Sequence, residues 1–282
     1  MPINTKYKDS VFSFLFSDPD LLRELYCALE DVSLPSSVPV TINTLENVLF
    51  MELINDISFM IGDKMVILTE HQSSINPNMA IRLLMYVARI YERMFDPKKL
   101  YSSKQLPVPR PEFFVLYNGT APFPDEMVLK LSESFYKAET LGLPKKEFPA
   151  LELVVRVINI NEGRHKEIAG RCRKLHEYSV FISKVRYFLA ENGNNKEDAI
   201  RSAIKYCTEN DILKGFFELH AKEVFNMLIT EWNTEDAKKV WYEEGQEDVA
   251  RKAFAKGATL EFVQEITGFD IEKLKNLQAE CI

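Results

Sequence analysis

The chain has 282 residues, 46% of them hydrophobic and 27% charged, with a formal net charge of −7. This composition excludes a disordered or fibrous chain, and the length suits one large domain or a core domain with an appendage. The acidic total counts against nucleic-acid binding, but it conceals two basic stretches, each with seven Lys/Arg against two Asp/Glu (Arg82–Arg110 and Arg164–Arg186), and an acidic end with twelve acids against seven bases from Glu231 onward.

In chain order, apolar residues from Asp9 to Leu29 recur at helical spacing, and Ser17-Asp18-Pro19 divides them into two helices, with Pro19 in the first turn of the second. A polar loop follows over Ser33–Pro39. Val48–Glu52 reads as a strand. Asp56–Ile61 and Lys64–Gln72 read as two more, joined by Gly62-Asp63 as a β-hairpin. Met79, Leu83, Tyr86, Val87, Ile90, Tyr91 and Met94 form the apolar stripe of a strong helix, with Arg82, Arg89 and Arg93 off the stripe. Pro107, Pro109 and Pro111 hold an extended segment before two further strands, Phe113–Tyr117 and Leu151–Ile158. Beyond about residue 160 the pattern is helical: one basic helix through Arg164–Arg186, then helices near 196–208, 211–230, 234–255, 259–267 and 270–279, the last two with a helix-turn-helix look around Gly268. The expected fold is therefore α/β, a sheet core flanked by helices with a helical C-terminal half. Its expected divisions are a core over 1–160, a helical extension over 161–230 and an acidic helical tail over 231–282.

Cys27, Cys172, Cys207 and Cys281 have no metal-ligand spacing, and no His pair has an H-E-x-x-H pattern, so structural zinc and zinc peptidase chemistry are not expected. The polar N-terminus and the lack of a long apolar run lead us to expect a cytoplasmic protein without a membrane anchor.

The hairpin is the part of the sequence that suggests chemistry. Glu70 and Gln72 share one side of their strand by alternation, and pairing across Gly62 brings Asp56 near Glu70 at the open end. Two converging carboxylates suit Mg²⁺ or Mn²⁺, which can generate hydroxide and stabilise charge during phosphodiester cleavage. Gln72 can orient the attacking water, though it brings no positive charge. Spacing alone leaves the plain alternative open, an Asp at a turn and a solvated Glu-x-Gln.

Thr69-Glu70-His71-Gln72-Ser73-Ser74, followed by Asn76-Pro77-Asn78-Met79-Ala80-Ile81-Arg82, resembles the hallmark segment of the recombination-promoting nuclease family, also called YhgA-like putative transposases. Asn55-Asp56-Ile57-Ser58-Phe59 is similar to that family's strand with the first acid. Tyr7–Phe12 resembles its opening helix. Pro111–Gly119 and Val157–Asn161 are similar to its later strands, and Gly257–Gly268 to its short helical ending. The resemblance implies a restriction-endonuclease-like core of the PD-(D/E)XK kind and Mg²⁺-dependent (or Mn²⁺-dependent) DNA cleavage linked to recombination or mobile elements. It maps the acids, as catalytic and metal-binding residues, onto Asp56 and Glu70, and a position usually held by lysine onto Gln72. Arg82, Asn78 and Ser73 are the expected DNA contacts, with helix capping by Asn76 or Asn78 as the plainer role of those two. Asp9 and His71 are secondary candidates. DNA is the expected partner and a homodimer is compatible with double-strand cleavage. The alternative is an inactive nuclease-fold protein that binds DNA or another protein.

Overall fold

The computed structural model describes residues 10–43, 56–71, 76–136, 148–193 and 195–279; for Asp56, Glu70, His71 and 234–241 it describes the backbone alone. The expected strand over Val48–Glu52 lies outside these residues. The chain divides into two compact units, Met1–Met227 and Leu228–Ile282.

The first unit is built on a six-stranded mixed sheet, with strands β1 (Val40–Ile42), β2 (Asp56–Ile61), β3 (Lys64–His71), β4 (Arg110–Tyr117), β5 (Glu126–Lys130) and β6 (Val154–Asn159) in the order β1-β2-β3-β4-β6-β5. β2 and β3 form the antiparallel hairpin, closed by Ile61 opposite Lys64. Gly62 takes φ +59 in that two-residue turn, where an L side chain would be strained. β4 runs parallel to both β3 and β6, and β5 is antiparallel at the edge. The interior strands are apolar on both rows because both faces of the sheet are covered.

Two helices precede the sheet, α1 (Val11–Leu15) and α2 (Pro19–Glu30), broken at Ser17-Asp18 as the sequence predicts. Asp18 caps α2 by accepting from the Asp20 amide at 2.7 Å. The helix α3 (Met79–Met94) connects β3 to β4. Its stripe of Met79, Leu83, Tyr86, Val87 and Ile90 packs on the row Met65, Ile67, Phe113, Val115, Val155 and Val157. The alternate rows meet α2: Tyr26 donates to Glu112 at 2.9 Å, Lys64 pairs with Glu112 at 2.7 Å, and Arg156 donates to the Leu29 carbonyl at 3.1 Å.

After β6 come α4 (Lys166–Arg171), α5 (Arg173–Glu191), α6 (Lys196–Glu209) and α7 (Lys214–Ala255), then α8 (Leu260–Thr267) and α9 (Ile271–Ala279). The mixed sheet with flanking helices and a helical C-terminal half agrees with the α/β architecture the sequence implies. Two expectations change. The basic helix is two helices, divided at Cys172, and the helices expected near 211–230 and 234–255 are one continuous helix. Its middle, Glu231-Trp232-Asn233-Thr234, has no Pro or Gly, and the modest helix preferences of Asn and Thr cost only tenths of a kcal/mol each.

In the second unit, Ala250 and Phe254 of α7 form a small core with Val263, Leu274 and Leu277 of α8 and α9. Val263 of α8 and Leu274 and Leu277 of α9 pack within that unit, while Phe262, Ile266 and Ile271 stay exposed. Among the described residues, no helix is long and apolar enough to cross a membrane.

Candidate active site

The register fixes where the candidate acids stand. Asp56 opens β2 and is paired with Thr69, so Glu70 lies one position beyond the partner of Asp56 on the adjoining strand, in the alternate row; the register differs in this from the direct pairing of the two acids that the hairpin suggested. Both backbones are at the open end of the hairpin. Glu70 in turn pairs with Leu116, and His71 with Tyr117, near the C-terminal end of β4. Ends of parallel strands are where α/β sheets commonly seat ligands, because the loops leaving them diverge. Gln72, Ser73 and Asp9 lie outside the described residues.

Two buried polar groups border this end. Thr69 is 2% exposed, and its hydroxyl has no hydrogen-bond partner among the described residues. Asn118, the residue after β4, is fully buried, and its Nδ2 likewise lacks such a partner. A buried polar atom without a partner costs roughly 1–3 kcal/mol, so its persistence points to a group it serves. On the α3 side the Tyr86 hydroxyl lies 3.5 Å from Ser58 Oγ, continuing the polar lining beneath the start of β2.

The remaining sequence candidates belong to α3. Arg82 is half-buried in its first turn, with Nη1 3.8 Å from the Met79 sulfur. Asn78 occupies the N-cap position but makes no side-chain capping bond; Asn76 Oδ1 instead accepts from the Asn78 amide at 2.9 Å. Side-chain capping of the helix by either asparagine is therefore not what the structure contains. Asn76 builds a turn ahead of the helix, and Asn78 is exposed.

The two basic stretches differ. Over Arg164–Arg186 most of the charge is taken up internally: Arg164 pairs with Asp125 at 3.2 Å, Arg171 with Asp31, Arg173 with Glu177 at 2.5 Å and Lys174 with Glu177 at 2.8 Å. This helix pair ties the fold together rather than offering a free cationic rail. Over the other stretch, Arg93, Lys98, Lys99, Lys104 and Arg110 are exposed and have no ion pair among the described residues. The sequence gives the two stretches equal weight because the partners of Arg164 and Arg171 are distant in the chain, before β5 and after α2, while Arg173 and Lys174 share Glu177 within α5 itself.

A cavity of about 470 Å³ sits at the far end of β4, lined in part by Glu30, Arg110, Glu112, Phe113, Leu153 and Arg156. It includes none of the candidate acids. Cys172 and Cys207 are buried, which pushes their thiols up to about 12 and leaves them inert as nucleophiles.

The strand–helix segment that holds these features also decides the comparison with known proteins. Residues 55–170 match the family model described as "Putative transposase, YhgA-like". The family resemblance read from the sequence is borne out over this segment, which contains Asp56, Glu70, Gln72, Arg82 and Asn118. No curated protein and no solved structure matches the chain.

Proposed function

We propose that the protein is a metal-dependent DNA endonuclease acting in recombination or in the movement of mobile elements. The observation that carries this reading is the match of residues 55–170 to the transposase family; the β2–β3 register adds only that the backbones of Asp56 and Glu70 adjoin at the open end of the hairpin, one position apart and so in alternate rows of the sheet. The donor set is hard oxygen, and the partnerless hydroxyl of Thr69 opposite Asp56 fits a site whose remaining member is a bound ion or its water.

In this reading Asp56 and Glu70 hold Mg²⁺ or Mn²⁺. When bound, such an ion supplies Lewis acidity and lowers the pKa of an attacking water. Gln72 orients that water through its side-chain amide. Arg82, one turn into α3, holds a backbone phosphate through its guanidinium fork, and Asn78 and Ser73 contact the strand nearby. His71 and Asp9 have supporting roles at most. Binding through phosphates is salt-sensitive and carries little sequence information.

A second reading is motivated by Gln72, which brings no cation to the nucleophile: a nuclease fold that binds DNA or a protein without cutting. One experiment separates the two. Purified protein is incubated with supercoiled plasmid and Mg²⁺ or Mn²⁺, beside Asp56→Ala and Glu70→Ala. The nuclease reading expects nicking or linearisation that each substitution lowers by about 10²-fold or more. Cutting that survives both substitutions, or none with either metal, overturns it, and DNA retention without cutting supports the second.

A further inference from the structure

The crossover from α3 to β4 displays side chains that a fold ordinarily covers. Tyr101 is 91% exposed and Leu100 beside it 67%. From Phe95 to Pro109 the chain carries three lysines and a single acid, Asp96. Lys98, Lys99 and Lys104 are exposed and make no ion pair among the described residues.

The segment is tied down at both ends and in the middle. The Asp96 carbonyl accepts from the Lys99 amide at 2.9 Å, and the Ser102 amide donates to the Lys99 carbonyl at 3.1 Å, closing the 3₁₀ turn Pro97–Tyr101. At the far end the Tyr91 hydroxyl donates to the Pro109 carbonyl at 2.6 Å, and the Arg110 amide to the Asp63 carbonyl at 3.1 Å. An ordered turn therefore carries the Tyr101 ring, yet the ring is left in solvent. Residues three apart eclipse in a 3₁₀ turn, so Lys98 stands on the side of Tyr101, about 6 Å away along the turn axis. A ring face beside an ammonium suits a nucleotide, which offers a base to stack and a phosphate to pair. In a duplex the base faces are already covered by their neighbours, and only the lysines find a partner there. An unpaired strand engages both.

We infer that the Pro97–Tyr101 turn and Lys104 form a binding site for unpaired DNA, in which Tyr101 stacks on a base and Lys98, Lys99 and Lys104 hold the flanking phosphates. The protein then binds a single strand, or a duplex with an unpaired stretch, more tightly than continuous duplex. The three cations against one acid favour a polyanion over a neutral or basic protein surface. The inference rests on the reading that DNA is the partner and names the form of DNA that is bound; it does not depend on cutting.

The test follows the anisotropy of a fluorescein-labelled oligothymidylate, and of a mixed-sequence duplex of the same length, added to the full chain at low salt in EDTA. Wild type binds the single strand more tightly. Tyr101→Ala lowers that affinity about 5-fold or more and leaves duplex affinity within about twofold, while Tyr101→Phe keeps the preference. Because the ring is exposed, both variants melt at the wild-type temperature. Tyr101→Trp adds a signature of stacking: its fluorescence, taken as the difference from wild type, is quenched by oligothymidylate and not by duplex. If Tyr101→Ala binds oligothymidylate within about twofold of wild type, or loses both probes equally, the site is overturned even where the protein cuts plasmid. If neither probe binds wild type, the site is likewise overturned, and an acidic protein surface becomes the partner to seek for the turn. If plasmid is not cut with either metal but the preference that depends on Tyr101 is present, the nuclease reading falls and the site stands.

Discussion

Thr69 offers a direct test of whether the hairpin end is shaped for function or for stability. Its hydroxyl is buried opposite Asp56 with no partner among the described residues. A valine of nearly the same shape removes an unpaired polar atom from the interior. Thr69→Val is therefore expected to raise stability by about 1 kcal/mol in chemical denaturation, and, if the hydroxyl serves a water or a carboxylate at the site, to lower plasmid cleavage at the same time. Opposite signs for the two measurements identify a residue kept for its chemistry; a loss of both, or no change in cleavage, assigns Thr69 to packing alone. Neither this hydroxyl nor the amide of Asn118 was visible in the sequence. A threonine before Glu70 and an asparagine before Gly119 look like an ordinary strand residue and an ordinary turn residue. Only burial without a partner distinguishes them, and burial depends on the long-range pairing of β3 with β4.

At the scale of elements, the parts set by local pattern were legible and the parts set by partners were not. The stripe from Met79 to Met94 gives α3 its observed ends, and Gly62-Asp63 gives the hairpin turn where it was expected. β1 and β5 went unread, since strands of three and five residues at or beside a sheet edge take their definition from a neighbour. The break expected near residue 231 followed a change of pattern that the backbone crosses without difficulty. Glu177 shows how a partner can decide an element's fate. It is 4% exposed on α5, accepts from Arg173 and Lys174, and also accepts from the Leu213 amide at 3.1 Å, just before α7. Burial pushes its carboxyl up, and hydrogen bonds from Lys174, Arg173 and Leu213 more than reverse this, so it lies below the ordinary carboxylate range. A lowered pKa contributes stability that is present above the ordinary range and is lost as pH falls through the folded value. Glu177→Ala is expected to cost about 1–3 kcal/mol near neutrality, because it orphans a buried amide. The gap from wild type should narrow in denaturant titrations carried out progressively further below the ordinary carboxylate range. A gap that is constant with pH would mean that the charge on Glu177 contributes nothing.

For the molecule as a whole, the proposed function requires a net charge of −7 to be reconciled with a polyanionic partner. The resolution lies in which charges are already spent. The Arg164–Arg186 cations are largely paired within the fold, whereas the crossover from α3 to β4 carries exposed cations with no ion pair among the described residues. That crossover is held in shape: Asp96 caps the short 3₁₀ turn Pro97–Tyr101 through the Lys98 amide at 3.0 Å, and Ser102 Oγ accepts from the Lys104 amide at 3.1 Å. Lys98, Lys99 and Lys104 are exposed on it, beside a Tyr101 that is 91% exposed. The Arg110 amide donates to the Asp63 carbonyl at the hairpin turn, so the crossover ends six residues of β3 away from Glu70, about 20 Å. One strand of a duplex spaces its phosphates about 3.4 Å apart along the axis, so a duplex seated at Glu70 would meet the crossover about six base pairs away. Replacing Lys98, Lys99 and Lys104 together by alanine is then expected to leave the fold unchanged, to weaken duplex binding at low salt, and to reduce the slope of log affinity against log salt by about two to three. The three lysines would act on every sequence alike and leave the single-turnover rate at saturating DNA near wild type, in contrast to Asp56→Ala and Glu70→Ala, which lower that rate. A salt slope unaltered by the triple substitution would remove the crossover from the proposed binding surface and leave the strand ends around Glu70 as the remaining candidate.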